Sequence, residues 1–204
     1  MDTPICDFVR HYAESGIARL HMPGHKGKGP LGIEHLDITE ICGADSLYEA
    51  EGIIAQSEAN ASWLFGCPTF YSTEGASQCI RAMVYLAMLD AKAKGKPLRI
   101  AAGRNAHKTF LSAAALLDAD VVWLYPKEGE SYLSCTITPQ DVEVLGNVSA
   151  LYLTSPDYLG NLADISAISA ICRQKGILLL VDNAHGAYLR FLPSARTEGA
   201  YPFS

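Results

Sequence analysis

The feature that most constrains this 204-residue chain is the apolar run Ile177–Val181, which is followed directly by Asp182. Five consecutive aliphatic residues after Gly176 have the length and composition of a strand buried on both faces, which is typical of parallel sheets covered by helices. Ligands of open α/β sheets bind outside the carboxyl ends of the strands, so Asp182 is placed to meet a ligand or a cationic partner. The alternative is that Asp182 caps the next turn through Asn183 and Ala184.

Strand and helix patterns alternate through the second half of the chain. Further strands are predicted at 97–102, 121–125 and 150–153, and helices at 79–95, 110–117 and 165–175. This alternation predicts a three-layer α/β/α domain with a mostly parallel sheet and right-handed crossovers. Helices are also predicted within 3–20 and over 52–65, and we expect a segment of residues 1–50 followed by a larger domain of residues 51–204.

Polar clusters adjoin the predicted strands and helices. The turn Gly75–Ser77 precedes a long helix, and its backbone N–H groups and hydroxyl suit a phosphate, the alternative being an ordinary N-cap. His107 follows a strand, where an imidazole can stack on a flat ligand, relay a proton or cap the next helix. Because Thr154 also follows a strand, we expect these clusters to meet Asp182 along one edge of the sheet.

Together the clusters fit a ligand that has a phosphate, a flat ring beside His107 and a basic ring nitrogen facing Asp182. Pyridoxal 5′-phosphate has all three. A carboxylate that is hydrogen-bonded to the pyridine nitrogen keeps this nitrogen protonated, and the protonated ring accepts electrons from the Cα of a substrate.

The N-terminal region carries a second set of polar residues. The loop His21–Lys26 is rich in Gly and Pro and holds two imidazoles, and its glycines do not fit a dinucleotide-binding fingerprint. The acids Asp37, Glu40 and Asp45 follow closely. They could bind amines, or they could cap the helix that begins near Glu49.

Charge, hydropathy and cysteine spacing argue against several classes of partner. The net charge of −6 and the absence of a basic stripe argue against nucleic acid as a partner. No apolar run approaches the roughly 20 residues that span a bilayer, and the N-terminus lacks a signal-peptide pattern, so we expect a cytoplasmic protein without membrane contact. The six cysteines are widely spaced, which predicts reduced thiols and no metal site.

Six motifs stand in order along the chain, from about residue 15 to its end: His21–Lys26, Asp37–Glu40, Asp45–Leu47, Ser72–Ser77, Gly103–Lys108 and Val181–Gly186. Their order resembles that of the ornithine/lysine/arginine decarboxylase family, whose members have the aspartate-aminotransferase-like fold of pyridoxal phosphate enzymes. The resemblance implies an enzyme that decarboxylates arginine, lysine or ornithine to an amine and CO2, as in polyamine biosynthesis. It also implies a homo-oligomer, a dimer or higher.

The resemblance implies roles for individual residues. Cofactor-binding residues would be Gly75, Ala76, Ser77, His107, Thr154, Ser155, Asp182 and His185. Of these, His107, Asp182 and His185 would be catalytic. Substrate binding or a dimer interface would involve His21, His25, Lys26, Asp37, Glu40 and Asp45.

The family's Schiff-base lysine lies in a Ser-x-His-Lys segment downstream of the aspartate strand. This chain stops at Ser204 before any such segment, and Lys108 is not its equivalent. We therefore expect the N-terminal portion of such an enzyme, with a pyridoxal phosphate-binding large domain incomplete at its C-terminus. Two alternatives stay open: another pyridoxal phosphate reaction on this fold, such as transamination or elimination, and a truncated protein that binds the cofactor or a partner without catalysis.

Overall fold

A computed structural model describes residues 1–192 and divides into two compact units, the first ending at Tyr71. The first unit contains helix α1 (Pro4–Glu14) and helix α2 (Ile53–Phe65), which pack on each other. The sequence-based division at residue 50 thus falls inside this unit, ahead of α2. The reason is local, because the Asp45 carboxylate accepts hydrogen bonds from the N–H groups of Gly52 and Ile54 and ties the preceding loop to the start of α2.

The second unit alternates helices and strands. Its elements are α3 (Ala76–Ala93), β1 (Arg99–Gly103), α4 (Lys108–Leu116), β2 (Asp120–Leu124), α5 (Pro139–Glu143), β3 (Ala150–Thr154), α6 (Ile165–Lys175) and β4 (Leu178–Asp182). Short 3-10 turns lie at Glu34–Leu36 and Leu47–Glu49 in the first unit and at Ala187–Phe191 in the second. The predicted strands and helices are confirmed, with boundaries shifted by a few residues. Among residues 1–192, no helix combines the length and the apolar character needed to cross a membrane.

The four strands form one parallel sheet in the order β2-β1-β3-β4. The chain moves from β1 to β2 on one side and then crosses back to β3 on the other side. The strand order therefore reverses between β1 and β3, and this switch point is where open α/β sheets place their ligands. Register pairs Thr154 at the end of β3 with Asp182 at the end of β4.

Alternate strand residues point to opposite sides of the sheet, so each face presents its own apolar residues. Helices cover both of these faces. Ile100, Tyr152 and Leu180 pack with residues of α3 and α4. Ala101 and Leu151 pack with residues of α5 and α6 on the other face. The crossover from β1 to β2 runs in one direction with α4 on one face, and the crossovers from β2 to β3 and from β3 to β4 run in the opposite direction with α5 and α6 on the other face, as a constant handedness requires. The predicted three-layer α/β/α fold is confirmed.

Candidate functional site

A cavity of about 220 Å³ lies at the carboxyl ends of β1, β3 and β4. Its lining residues are Ala76, Ser77, Ile80, His107, Thr154, Tyr158, Asp182, Ala184 and His185. Four separated segments of the sequence therefore contribute to one site at the switch point. Six of the residues singled out from the sequence are among them: Ala76, Ser77, His107, Thr154, Asp182 and His185.

Asp182 is the buried acid of this cavity, with a relative exposure of 5%. The hydroxyl of Tyr152 donates to Oδ2 at 2.7 Å, and the backbone N–H of Ala184 donates to Oδ1 at 3.2 Å. The second contact is the turn cap that the sequence also allowed, so Asp182 both caps the turn and lines the cavity. Both donors are neutral, and neither cancels the charge of the carboxylate.

Tyr152 is a site residue that the sequence analysis missed. Its side chain is fully buried and stacks on Phe110 with ring centroids 4.2 Å apart. Burial raises the pKa of Tyr152, and the charge of Asp182 raises it further, so the phenol stays protonated and acts as a donor. A tyrosine inside an apolar strand is typical of core packing. The feature that points to Tyr152 is the register of the strands. Tyr152 pairs with Leu180 and is therefore a diagonal neighbour of Asp182 on the same face of the sheet.

His107 is held by the first turn of α4, for which it is the N-cap residue. The backbone N–H of Thr109 donates to His107 Nδ1 at 3.2 Å, and the Thr109 hydroxyl lies 2.9 Å from the same nitrogen. Because Nδ1 accepts from a backbone N–H, the ring proton of the neutral imidazole lies on Nε2. His107 thus both caps α4 and lines the cavity. Thr109 was also missed, and its hydroxyl lies 3.2 Å from that of Ser77.

The start of α3 contributes Ala76, Ser77 and Ile80 to the lining of the cavity. Gly75 is the N-cap of α3, with φ +61° and ψ −154°, a conformation essentially restricted to glycine. Within the described part of the chain, no side chain caps this helix, and no atom beyond the neighbouring residues lies within 4 Å of a Cβ built at Gly75. Ala76 and Ser77 begin the helix and do not precede it as the sequence suggested. The uncapped N–H groups, the Ser77 hydroxyl and the helix dipole together favour an anion.

The residues after β3 have different roles. The Thr154 hydroxyl oxygen is buried and forms no hydrogen bond of standard geometry with the described residues, although it lies close enough to the Tyr152 hydroxyl to influence the pKa of that group. Ser155 is not among the residues that line the cavity: it is 1% exposed, its hydroxyl accepts from the N–H of Ala163, and its own N–H donates to the carbonyl of Asp182. Ser155 therefore shapes the loop beside the cavity.

Tyr158 reaches the cavity from this same loop and was also missed. Asp157 organises the loop by accepting hydrogen bonds from the N–H groups of Leu159 and Asn161. Burial opposes ionisation of Asp157, but these bonds and one from the Asn161 amide outweigh it and lower its pKa. No spacing or motif in the sequence distinguishes Tyr158 from other loop tyrosines.

The predicted residues of the N-terminal loop lie in the first unit. His25 Nε2 is 3.1 Å from Asp37 Oδ2, and His21 Nε2 is 2.8 Å from the hydroxyl of Tyr12. Lys26 Nζ donates to the carbonyl of His21. The loop is thus shaped by its own imidazoles and amine, while their role at a substrate site or dimer interface stays a prediction.

The acids of the first unit divide by their contacts. Asp45 has φ +66° and accepts from four backbone N–H groups, two of them at the start of α2, so the capping alternative holds for this residue. Glu40 Oε1 accepts a hydrogen bond of 3.4 Å from Ser46. Among residues 1–192, no cluster of three or more His, Cys, Asp or Glu side chains could hold a metal ion.

The parallel sheet with its cavity at the switch point defines the protein as an open, three-layer α/β protein. The constitutive lysine decarboxylase of E. coli matches the whole chain with a TM-score of 0.74 at 19% identity, the match covering 31% of that enzyme. Mouse CSAD matches 72% of the chain, and 35% of its own length, with a TM-score of 0.55 at 22% identity. At these identities the likeness concerns the fold alone.

Sequence comparison identifies the family. Residues 3–200 match the family model of the Orn/Lys/Arg decarboxylase major domain. The chain therefore belongs to this family, which confirms the resemblance inferred from its motifs. An arginine decarboxylase of Halalkalibacterium halodurans is 29% identical over 97% of the chain and 43% of its own length, and one of Bacillus cereus is 29% identical over 98% and 46%. The chain thus spans less than half the length of these relatives.

Proposed function

We propose that this chain forms the cofactor-binding part of a pyridoxal phosphate-dependent decarboxylase that releases CO2 from arginine, lysine or ornithine and leaves an amine. Family membership supports the reaction class. The observation that carries the proposal is that one cavity is lined both by the uncapped start of α3 and by the buried carboxylate of Asp182.

The residues fit the phosphate of this cofactor. Gly75 lacks a side chain where the space beside α3 is open, and the first N–H groups of the helix are left without a side-chain cap. The hydroxyl of Ser77 lines the same cavity. A helix N-terminus with a free hydroxyl binds a dianion well, because the dipole and the N–H donors act together. Ala76 and Ser77 would hold the phosphate.

The residues also fit the pyridine ring. Asp182 presents a buried carboxylate whose two hydrogen-bond donors are neutral, so its charge can hold a proton on the ring nitrogen. His107 lies at the N-cap of α4 with its ring fixed through Thr109, as stacking on a flat ring requires. Thr154 lines the same cavity with a buried hydroxyl, which can bind a polar ligand atom. His185 would lie beside the ring.

When bound, pyridoxal phosphate supplies an electron sink for the pair of electrons left at Cα when CO2 departs. The protein's own residues prepare the site for this chemistry. Asp182 keeps the ring nitrogen protonated, α3 anchors the phosphate, and the apolar Ile80 and Ala184 reduce the space for water.

The acids of the first unit are proposed to recognise the basic side chain of the substrate or to stabilise a homo-oligomer. Asp45 is committed to backbone N–H groups at the start of α2, which leaves Asp37 and Glu40 for an amine or guanidinium. The Asp37 side chain is 60% exposed and its present contact is with His25.

The proposal is tested by supplying the full-length protein with pyridoxal phosphate and measuring labelled CO2 from arginine, lysine and ornithine. We expect CO2 and the matching amine from at least one of them, and we expect Asp182→Asn to abolish most of the release. A keto acid in place of an amine, or bound cofactor without CO2 from any of the three, would contradict it.

A further inference from the structure

We propose that Tyr152 is a positioning residue that holds Asp182 toward the ring nitrogen of the cofactor, an inference that rests on the proposed function. Tyr152 is not a lining residue of the cavity, and it acts through the carboxylate it contacts. Three observations support this role: the geometry around Asp182, the rigidity of Tyr152 and the neutrality of its hydroxyl.

The two oxygens of Asp182 are engaged by donors from different elements. The Tyr152 hydroxyl comes from β3, and the N–H of Ala184 comes from the turn after β4. A carboxylate fixed at both oxygens cannot rotate freely about its terminal torsion angle, which is otherwise broad. Each oxygen has more than one lone pair, so a third donor can still bind from the cavity side.

The aromatic core makes Tyr152 a rigid support. Its ring stacks on Phe110 at an interplanar angle of 24°, and Phe110 meets Trp123 edge-on with centroids 6.1 Å apart. Tyr152 and Phe110 have no exposed surface. The interior is densely packed, so the hydroxyl has little room to move away from Asp182.

The hydroxyl of Tyr152 is not needed to fill this core, because a phenylalanine would pack against Phe110 in the same way. A buried hydroxyl must find a partner, and here it donates to Asp182, the carboxylate that the described residues contribute to the cavity. A cationic donor at this place would neutralise Asp182 and weaken its hold on a protonated ring. A neutral phenol orients the carboxylate and leaves its charge in place.

The test compares pyridoxal phosphate with 1-deazapyridoxal phosphate, an analogue that has C–H in place of the ring nitrogen. Dissociation constants for both ligands are measured by titration of the full-length protein. We expect the wild-type protein to prefer pyridoxal phosphate, and we expect Tyr152→Phe to reduce that preference by about fivefold, as for the loss of one hydrogen bond. Tyr85→Phe, a change at a half-exposed tyrosine on α3, should leave the preference unchanged.

A second pair of variants separates positioning from packing. In an Asp182→Asn background, Tyr152→Phe should change the preference no further, because the group through which Tyr152 acts is already lost. Equal weakening of both ligands by Tyr152→Phe, or an unaltered preference, would overturn the positioning role and leave the proposed function standing. A wild-type protein that binds neither ligand would overturn the proposed function itself.

Discussion

The hydroxyls of Ser77 and Thr109 lie 3.2 Å apart, although the two residues are 32 positions apart in the chain. This contact joins the first turns of α3 and α4, which carry the proposed phosphate site and the proposed ring-stacking histidine. Thr109 also bonds to His107 Nδ1 through its hydroxyl and its backbone N–H. The two ends of a bound cofactor would therefore be coupled by one buried threonine.

Thr109→Val should weaken this coupling. The isosteric change removes the hydroxyl and keeps the backbone N–H that His107 caps, so we expect a loss of about 1 kcal/mol in the free energy of unfolding. We also expect weaker binding of pyridoxal phosphate, measured by titration. Ser112→Ala removes another hydroxyl of α4, one that bonds to the Lys108 carbonyl at the surface, and serves as the control. Equal effects of the two variants on binding would contradict the coupling.

Gly75→Ala should damage the phosphate site through the backbone. A Cβ would meet nothing within 4 Å, but the φ of +61° and ψ of −154° disfavour any side chain, at a cost of about 1–3 kcal/mol. Gly95→Ala is the matched control, because Gly95 has φ +63° and equally open surroundings. Both variants should lower the melting temperature, while only Gly75→Ala should lower the affinity for inorganic phosphate and for the cofactor. Loss of phosphate affinity in both would contradict the assignment.

Two substitutions of His107 should distinguish its role as the N-cap of α4 from its proposed role in stacking on the cofactor ring. Asparagine can still accept from the N–H of Thr109, so His107→Asn should retain stability and lose cofactor affinity. Phenylalanine keeps a flat ring and loses the cap, so His107→Phe should cost about 1 kcal/mol of stability and retain more of the affinity. Chemical denaturation and cofactor titration measure the two effects. If the same variant proves better in both stability and cofactor affinity, this would argue against a stacking role for His107.

Asp45 should make the stability of the first unit sensitive to acid. Burial opposes its ionisation, but hydrogen bonds from Glu51, Ser46, Gly52 and Ile54 N–H groups outweigh it and lower its pKa from 3.8 to about 2. The folded pKa is below the unfolded value, so the stabilisation is complete above about pH 4 and is lost as the pH falls toward 2. The fluorescence of Trp63, with Trp123 replaced by Phe, reports unfolding of this unit.

The control for this titration is Glu14→Gln, since Glu14 is an exposed acid of the same unit whose carboxylate accepts no hydrogen bond from the described residues. Asp45→Asn should destabilise the unit at pH 6, and its difference from wild type should shrink toward pH 2. A difference that stays constant over this range would contradict the cap.

The fold was predictable because each local signal agreed with the tertiary arrangement. Gly66 and Gly176 directly follow the last residues of α2 and α6, so these helices end at residues 65 and 175 as the sequence predicts. Parallel sheets bring the carboxyl ends of their strands together, so Thr154 and Asp182 could be placed at one edge before their pairing was seen.

Residues that depend on side-chain direction were not predictable in this way. Tyr152 occupies a core position, and only the sheet register shows that its hydroxyl reaches Asp182. Ser155 follows a strand like Thr154, but the next residue along a strand points to the other side, and its hydroxyl turns to Ala163. The hydrogen bonds from Gly52 and Ile54 N–H to Asp45 likewise depend on where a side chain points, which the spacing of the residues does not show.

The central claim, that one cavity binds the phosphate at α3 and the ring nitrogen at Asp182, is tested most directly by a crystal structure of the full-length protein with pyridoxal phosphate. We expect the phosphate on the N–H groups of Ala76 and Ser77 and the ring nitrogen within hydrogen-bond distance of the Asp182 carboxylate. A phosphate bound elsewhere, or a ring nitrogen turned away from Asp182, would contradict the account.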